Sequence, residues 1–480
     1  MKRHTTKYCK PVFICFFWLI VWQAGAVLVG NSILFVGPAE VIHALFSFLP
    51  QSTFWVSVFT SFWKISTGFF LAFFGGMFIG CFAFFFPLLQ QFLSPLLTFM
   101  KSVPVASFVI LALIWMGSDN LSVLISFLVV FPVIYVNTLG GLAGTDAKLL
   151  EMSQVFHLTR WRKWSCLYWP SLLPYLSSGC KTALGMSWKS GIAAEVIGVP
   201  DKTIGEQLYL SKIYLNTAEL FSWTLVIILV SMGFERIFLF LLNKLGNKTP
   251  FLPVKRSITK KERENAKSSP YSPITLTITN LTKHFDEQEI FLHQSFQFVS
   301  DFPWCIMAPS GSGKTTFFHL LLGLEQAETG TIMISHNQKE GNSDFLISAV
   351  FQENRLCESL SPIDNILLAV PSVSKAEAKT ELSQILPTEC LNRPVFTLSG
   401  GMKRRTAIVR ALLFPAPVIL MDEPFTGLDE ETKSEVIHYI VKRRNGRLLL
   451  LSTHQEEDAD LLRGKILFLN NSSSVTNMRT

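Results

Sequence analysis

Charge is what this chain is short of: 16% of its 480 residues are Asp, Glu, Lys or Arg, while 49% are hydrophobic and 42 are Phe. Soluble domains carry roughly 25% charged residues, so a wholly soluble chain is excluded and a half-membrane, half-soluble one fits. Cysteine is scarce too. Cys9, Cys15, Cys81, Cys166, Cys180, Cys305, Cys357 and Cys390 are scattered with no C-x-x-C pair, which argues against a zinc site and against a disulfide framework. Acid is in deficit, 35 Asp+Glu against 42 Lys+Arg, for a net charge of +7. The basic surplus clusters at the N-terminus and around residues 244–267, flanking apolar spans, so it reads as a topology signal and not as a nucleic-acid surface. The length exceeds one compact core, so two or more domains are expected.

What is present in the first half is apolar runs. Pro11 to Gly30, Phe62 to Phe86, Val103 to Met116 (or from near Leu96), Leu121 to Leu139, Cys180 to Gly198 and Leu220 to Leu242 predict six crossings. Pro38 to Leu49, shorter and carrying Glu40 and His43, reads as interfacial. The first run follows Lys2, Arg3, Lys7 and Lys10, as a cleaved signal peptide would; its bilayer length and the further spans favour an uncleaved helix. With the N-terminus inside, Lys148, Arg160, Arg162 and Lys163 also fall inside, as does the chain after Lys244. The turn Gly117 to Asn120, without Lys or Arg, falls outside. Lys189 and Glu195 sit within crossing five; they either line or pair across a cavity, or lie near the helix ends with Lys189 snorkelling.

Between crossings four and five, Thr145 or Asp146 can cap a helix, with Leu149, Met152, Phe156 and Leu158 at helical spacing. A second, basic and amphipathic short helix is expected from Arg160. The pair is either a membrane-surface element or a knob offered to a soluble domain. Residues 246–273, with Pro250, Pro253, Pro270 and Pro273, form a polar tether.

The soluble half opens with the strand-like Ile274 to Thr279. The apolar run Trp304 to Met307 leads into Ala308-Pro309-Ser310-Gly311-Ser312-Gly313-Lys314-Thr315-Thr316 and then an apolar helical run. A Gly-rich loop between strand and helix cradles phosphates with backbone N–H groups; Lys314 would reach the β- and γ-phosphates and the Thr315 hydroxyl would ligate Mg²⁺. Ala308 stands where that pattern has its first Gly; a left-handed backbone there would cost roughly 1 kcal/mol. Val418 to Met421 delivers Asp422 and Glu423 at a strand end, suiting Mg²⁺ ligation through water and polarisation of an attacking water. Ser399-Gly400-Gly401 opens a helix as a second anion cradle. Gln352 and His454 stand at two further strand ends, and Asp429 follows Gly427-Leu428.

In this order these motifs resemble the ATPase domain of ABC transporters. The resemblance implies ATP and Mg²⁺ as ligands. It makes Ser310 to Thr316 the phosphate loop and Gln352 the Q-loop residue, and it makes Ser399-Gly400-Gly401 the signature. Asp422 and Glu423 become Mg²⁺ ligand and general base, Asp429 the D-loop residue, His454 the switch histidine, and Phe285 the aromatic that stacks on adenine. Residues 145–176 resemble the coupling loop of importer permeases, with Glu151-Met152-Ser153 in the E-A-A place, His157 in that of a Gly and Leu167 to Pro170 as a diverged I-x-L-P. Residues 60–240 are similar to permeases of nitrate, sulfonate and taurine importers. The implied fold is an all-α six-helix membrane domain (1–245), a linker (246–273) and an α/β P-loop, RecA-like ATPase with a helical subdomain (274–480). The implied function is ATP-driven import by a homodimer in the cytoplasmic membrane, with both N-terminus and ATPase cytoplasmic. The solute would be a small one, an anion or a vitamin precursor, from a separate extracytoplasmic binding protein. The rivals are an ABC half-exporter and a regulatory membrane ATPase without transport.

Overall fold

The computed structural model describes residues 6–31, 33–247, 273–285, 288–309, 312–336, 346–469 and 478–479. Most of the tether 246–273, together with Ser310, Gly311 and the side chain of Phe285, lies outside the described residues. The chain divides into two compact units: Met1–Thr145 with Tyr168–Thr249, and Asp146–Leu167 with Pro250–Thr480. The cut is not the one expected at residue 245 alone, because a piece of the first half, Asp146–Leu167, folds with the second.

The first unit is helical. Helices Ser52–Phe85, Leu121–Ala143 and Thr217–Asn247 hold stretches long and apolar enough to cross a bilayer. Small residues let the first two approach closely: a Cβ added at Gly68 would lie 2.4 Å from the Val123 carbonyl oxygen, and one at Gly80 2.9 Å from Thr138 Cβ. The expected single crossing up to Met116 is instead two helices, Pro87–Ser102 and Val105–Met116, bent by 103°. Val103 is extended (φ −77°, ψ 132°), as the residue before a proline prefers, and Pro104 has no N–H with which to continue the first helix. Crossing five is longer than expected. The short helix from Arg160 is one turn, Arg160–Lys163, which runs through a turn of π-helix, Trp164–Tyr168, into Trp169–Gly198. With Lys181, Lys189 and Glu195 in it, that last helix is not among the strongly apolar ones. The first helix, Thr6–Val29, is apolar over Phe16–Val29. Lys189 is exposed, whereas Glu195 is buried near its helix end, accepting from Ser61 Oγ at 2.6 Å and from the Gly205 N–H at 3.2 Å.

The second unit is α/β. Strands β1 (Ile274–Phe285), β2 (Gln288–Val299) and β4 (Thr329–His336) form an antiparallel sheet ordered β2-β1-β4. Strands β3 (Trp304–Met307), β5 (Ile347–Val350), β6 (Val418–Met421), β7 (Leu448–Ser452), β8 (Lys465–Phe468) and β9 (Met478–Arg479) form a second sheet, ordered β5-β6-β7-β3-β8-β9 and parallel except for β9. Its central strands β3, β6 and β7 are apolar except for Ser452 at the end of β7, because both faces are covered. Ile419, Met421, Leu449 and Leu451 face the helices, packing with Ile366, Leu382 and Ile408. Val418, Leu420, Leu448 and Leu450 face the other way, onto Ile278, Phe298 and Phe317. The loops after β3, β5, β6 and β7 therefore all leave the same carboxyl edge of the sheet, where ligands bind in open α/β folds.

Candidate functional site

The loop after β3 turns into helix Lys314–Leu321 through Gly313, whose φ is +89° and whose added Cβ would lie 2.4 Å from Ile290 Cγ2. Only glycine fits there. Ala308 is not among the residues with positive φ, so the strain considered for it does not arise. Lys314 is 8% exposed and folds back on the loop, donating to the Ala308 carbonyl at 2.5 Å and the Pro309 carbonyl at 3.4 Å. Burial lowers its pKa from the ordinary lysine value; Glu423 and Asp422 work in the opposite direction.

The catalytic candidates meet at the ends of β6 and β7. Thr315 Oγ1 donates to Asp422 Oδ2 at 3.1 Å, and Ser452 Oγ donates to Asp422 Oδ1 at 2.6 Å. The same Ser452 oxygen accepts from the Glu423 N–H at 2.9 Å. Glu423 itself sits at φ +46°, a conformation that costs a non-glycine residue of order 1 kcal/mol. His454 Nε2 lies 3.0 Å from Glu423 Oε1. Gln352 is exposed and lines a cavity of about 200 Å³ together with Thr315 and Asp422. A hard-oxygen set of hydroxyl, carboxylate and amide around one cavity suits Mg²⁺. Thr316 lies in the first turn of the phosphate-loop helix and Ser312 is buried against the Pro309 carbonyl, 2.7 Å away.

The signature residues lie apart from this cluster: among the described residues, no hydrogen bond links Ser399–Gly401 to 312–316. Ser399 caps helix Gly400–Leu413, accepting from the Met402 N–H at 3.3 Å. A Cβ on Gly400 would meet nothing within 4 Å, so its face is open; one on Gly401 would lie 3.2 Å from Leu428 Cδ2. Asp429 caps the helix Glu430–Arg444 through the Thr432 N–H at 2.9 Å, and those bonds lower its pKa. Phe285 ends β1.

The coupling segment docks on the loop after β5. Asp146, not Thr145, caps its helix Ala147–Val155. Met152, Val155, Phe156, Leu158, Cys166 and Leu167 pack with Phe351, Cys357, Leu368, Phe414 and neighbours in one apolar cluster. Glu151 Oε2 accepts from Arg355 Nη1 at 2.5 Å, Lys148 Nζ reaches Glu353 at 2.6 Å, and Arg162 donates to the Leu368 carbonyl at 2.8 Å. His157 has φ +46°, so the position that is Gly in the resemblance keeps the glycine-favouring conformation with another residue in it. Pro170 lies in the first turn of Trp169–Gly198, in the other unit.

Sequence reasoning missed four side chains. Ser452 bridges the two carboxylate positions. Arg404 donates to the Phe351 and Gln352 carbonyls at 2.6 and 2.5 Å, and Arg410 donates to those of Arg355 and Asn354 at 2.8 and 3.3 Å. Arg410 is 1% exposed and its pKa is pushed down to about 10 by burial. Both arginines sit on the signature helix, so one helix holds the backbone of the stretch that carries Gln352 and Arg355. Arg355 is the fourth. A signature helix with arginines six residues apart was the available signal.

Two family models match the sequence: "ABC transporter" over residues 293–426, and "Binding-protein-dependent transport system inner membrane component" over residues 68–247. The chain is similar to the spermidine/putrescine import ATP-binding protein of Hahella chejuensis, 30% identical over 42% of this chain and 58% of that one. It is 34% identical to the molybdenum import ATP-binding protein of Saccharophagus degradans, over 35% of this chain and 50% of that one. It is 31% identical to the aliphatic sulfonates import ATP-binding protein of Albidiferax ferrireducens, over 40% of this chain and 70% of that one. The chain thus spans between half and three-fifths of the length of the first two.

Proposed function

This chain belongs to the ABC transporter family, and from that premise we propose that two copies of it, embedded in the cytoplasmic membrane, import a small solute driven by ATP hydrolysis. The N-terminus and the ATPase unit face the cytoplasm, and a separate extracytoplasmic binding protein delivers the solute. The observation that carries this reading is the docking of Asp146–Leu167. The segment lies inside the match to a binding-protein-dependent membrane component, yet it folds with the ATPase unit through Glu151 and Arg355, three residues from Gln352.

The residues divide the work as follows. Lys314 exchanges its hold on the Ala308 and Pro309 carbonyls for the β- and γ-phosphates, whose charge restores the ammonium that burial disfavours. Thr315 directly, Asp422 through water and Gln352 from the cavity wall would hold Mg²⁺, which when bound offsets charge on the phosphate oxygens. Glu423 accepts the proton of the attacking water while His454 fixes its carboxylate, and Phe285 stacks on the adenine. Ser399, Gly400, Gly401 and Asp429 serve the ATP held by the other copy, which the open face at Gly400 admits. Closure of the pair pulls on the coupling segments through Arg355 and the apolar cluster.

The rival half-exporter has longer helices reaching into the cytoplasm, whereas the element that folds with the ATPase here is the short segment Asp146–Leu167. Polyamine, molybdenum and sulfonate names occur among the relatives, so the ATPase half does not set the solute class. The test is ATP turnover of the full chain in vesicles, with candidate solute-binding proteins added on the side opposite the ATPase. An importer is stimulated by the loaded binding protein and accumulates its ligand. Stimulation without accumulation would make it a regulatory ATPase, and stimulation by a solute alone would make it an exporter.

A further inference from the structure

The carboxylate of Glu423 is held from two sides. His454 Nε2 lies 3.0 Å from Oε1, and Thr426 Oγ1 donates to Oε2 at 3.3 Å. The two holders stand on different loops: His454 follows β7, and Thr426 precedes the helix Glu430–Arg444 that Asp429 caps. A buried ion pair joins these loops. Lys433 Nζ, on that helix, lies 2.5 Å from Asp458 Oδ1, on the short helix Glu456–Leu462. Each end of the pair is tied to its own loop. Lys433 lies one turn past Asp429, to whose carbonyl its N–H donates at 2.8 Å. Its ammonium also donates to Gln455 Oε1, and Asp458 accepts from Thr453 Oγ1, so the residues on either side of His454 are both engaged. A cavity of about 230 Å³ is lined by both halves of the pair together with Glu423, Thr426 and His454.

For stability alone such a pair is a poor choice. Two apolar side chains of like volume pack as well, without the cost of taking two charges out of water. What the pair fixes is a spacing and a direction, because its charges and their partners sit on backbone that carries Asp429 or His454. We propose that Lys433 and Asp458 are positioning residues for ATP hydrolysis: their buried pair sets the spacing of the two loops, hence the aim of the Glu423 carboxylate, and passes displacement of Asp429 by the second copy to the base. The linkage is a closed ring. It runs from Glu423 to Thr426, along the chain to Asp429 and Lys433, across to Asp458, and back through Thr453 and His454. A shift of Asp429 is thereby felt at the His454–Glu423 contact. The proposal rests on Glu423 as the base and on Asp429 facing the other copy, and its test separates the pair from both.

The test is Lys433→Met together with Asp458→Leu in the full chain, in phosphatidylcholine vesicles, a change that leaves no buried charge unpaired. Steady-state kinetics should show kcat lowered roughly tenfold, as a small misplacement of a catalytic group does, with KM for ATP and binding of a fluorescent ATP analogue unchanged. Asp429→Ala supplies the second readout. If the pair relays Asp429, adding Asp429→Ala to the double variant lowers kcat no further, whereas a purely structural pair gives two losses that multiply. Gln455→Ala, at an exposed position, decides the matter if the double variant fails to bind the analogue. Losing the Lys433 contact beside His454 should then lower kcat roughly two- to threefold at constant KM. Full kcat in the double variant would overturn the proposal, as would multiplying losses with Asp429→Ala. Where the double variant does not fold, full kcat in Gln455→Ala would do the same. Absence of ATP turnover in the unsubstituted chain would sink the hydrolytic reading of the site, and the pair with it; turnover that the substitutions leave intact would sink the pair alone.

Discussion

The catalytic cluster and the docking face of the coupling segment lie in the same unit and are held by different physics. Asp422, Glu423, Thr315, Ser452 and His454 are joined by short polar contacts between 2.6 and 3.1 Å, each member placed by a strand end or a helix start. The docking face is an apolar cluster around Met152, Phe156 and Phe414, with ion pairs at its rim such as Lys148–Glu353, both half-exposed. On the proposed reading the first arrangement places charge and protons, and the second transmits displacement, which packed apolar surfaces do well and specific bonds do not require. Damage to the first therefore removes chemistry, and damage to the second removes coupling.

The largest effect that sharpens this contrast is Glu423→Gln. With Glu423 as the proposed general base, turnover falls by roughly a hundredfold or more while ATP still binds; phosphate release and nucleotide binding measured side by side check it. Ser452→Ala comes next. It frees Asp422 Oδ1 and the Glu423 N–H together, removing charge-assisted bonding of about 1.5–3 kcal/mol. Turnover should fall roughly ten- to a hundredfold in steady-state kinetics. Phe156→Ala acts on the other region. Its ring is 2% exposed, edge-on to Phe414 at 5.1 Å, and beneath the Arg410 guanidinium at 4.8 Å. Truncation costs about 3 kcal/mol of local packing. Basal turnover persists while stimulation by the binding protein disappears; equal loss of both would erase the distinction between the regions. His157→Gly is the smallest change and goes the other way, relieving a left-handed residue by about 1 kcal/mol, seen as a higher unfolding temperature with turnover unchanged.

The same contrast explains what could be read from the sequence. Lys314, at a helix start, and Asp422, Glu423 and His454, at or just past strand ends, stand out in the sequence because the chemistry proposed for each demands one residue type at one place, and Gly313 because a left-handed turn against Ile290 admits no side chain. Ser452 does not stand out although it lies two residues before His454, since a serine at a strand end has many uses. Arg355, Arg404 and Arg410 bind backbone carbonyls or a distant carboxylate, partners that no local pattern announces. In the membrane unit, hydropathy finds apolar length but not geometry. The run up to Met116 hides a 103° bend at Pro104, and the helix Trp169–Gly198 begins well before the apolar stretch at Cys180. His157 shows the converse: a backbone demand outlives the residue type that usually signals it.

The most direct test of the two-copy account is cross-linking between chains. One population carries Ser312→Cys and the other Ser399→Cys, each with Glu423→Gln so that ATP is held and not turned over. If each ATP lies between the phosphate loop of one copy and the signature of the other, oxidation in the presence of ATP and Mg²⁺ gives a disulfide-linked dimer that needs both cysteines and the nucleotide. A cross-link within a single doubly substituted chain, or no ATP-dependent dimer at all, would contradict it.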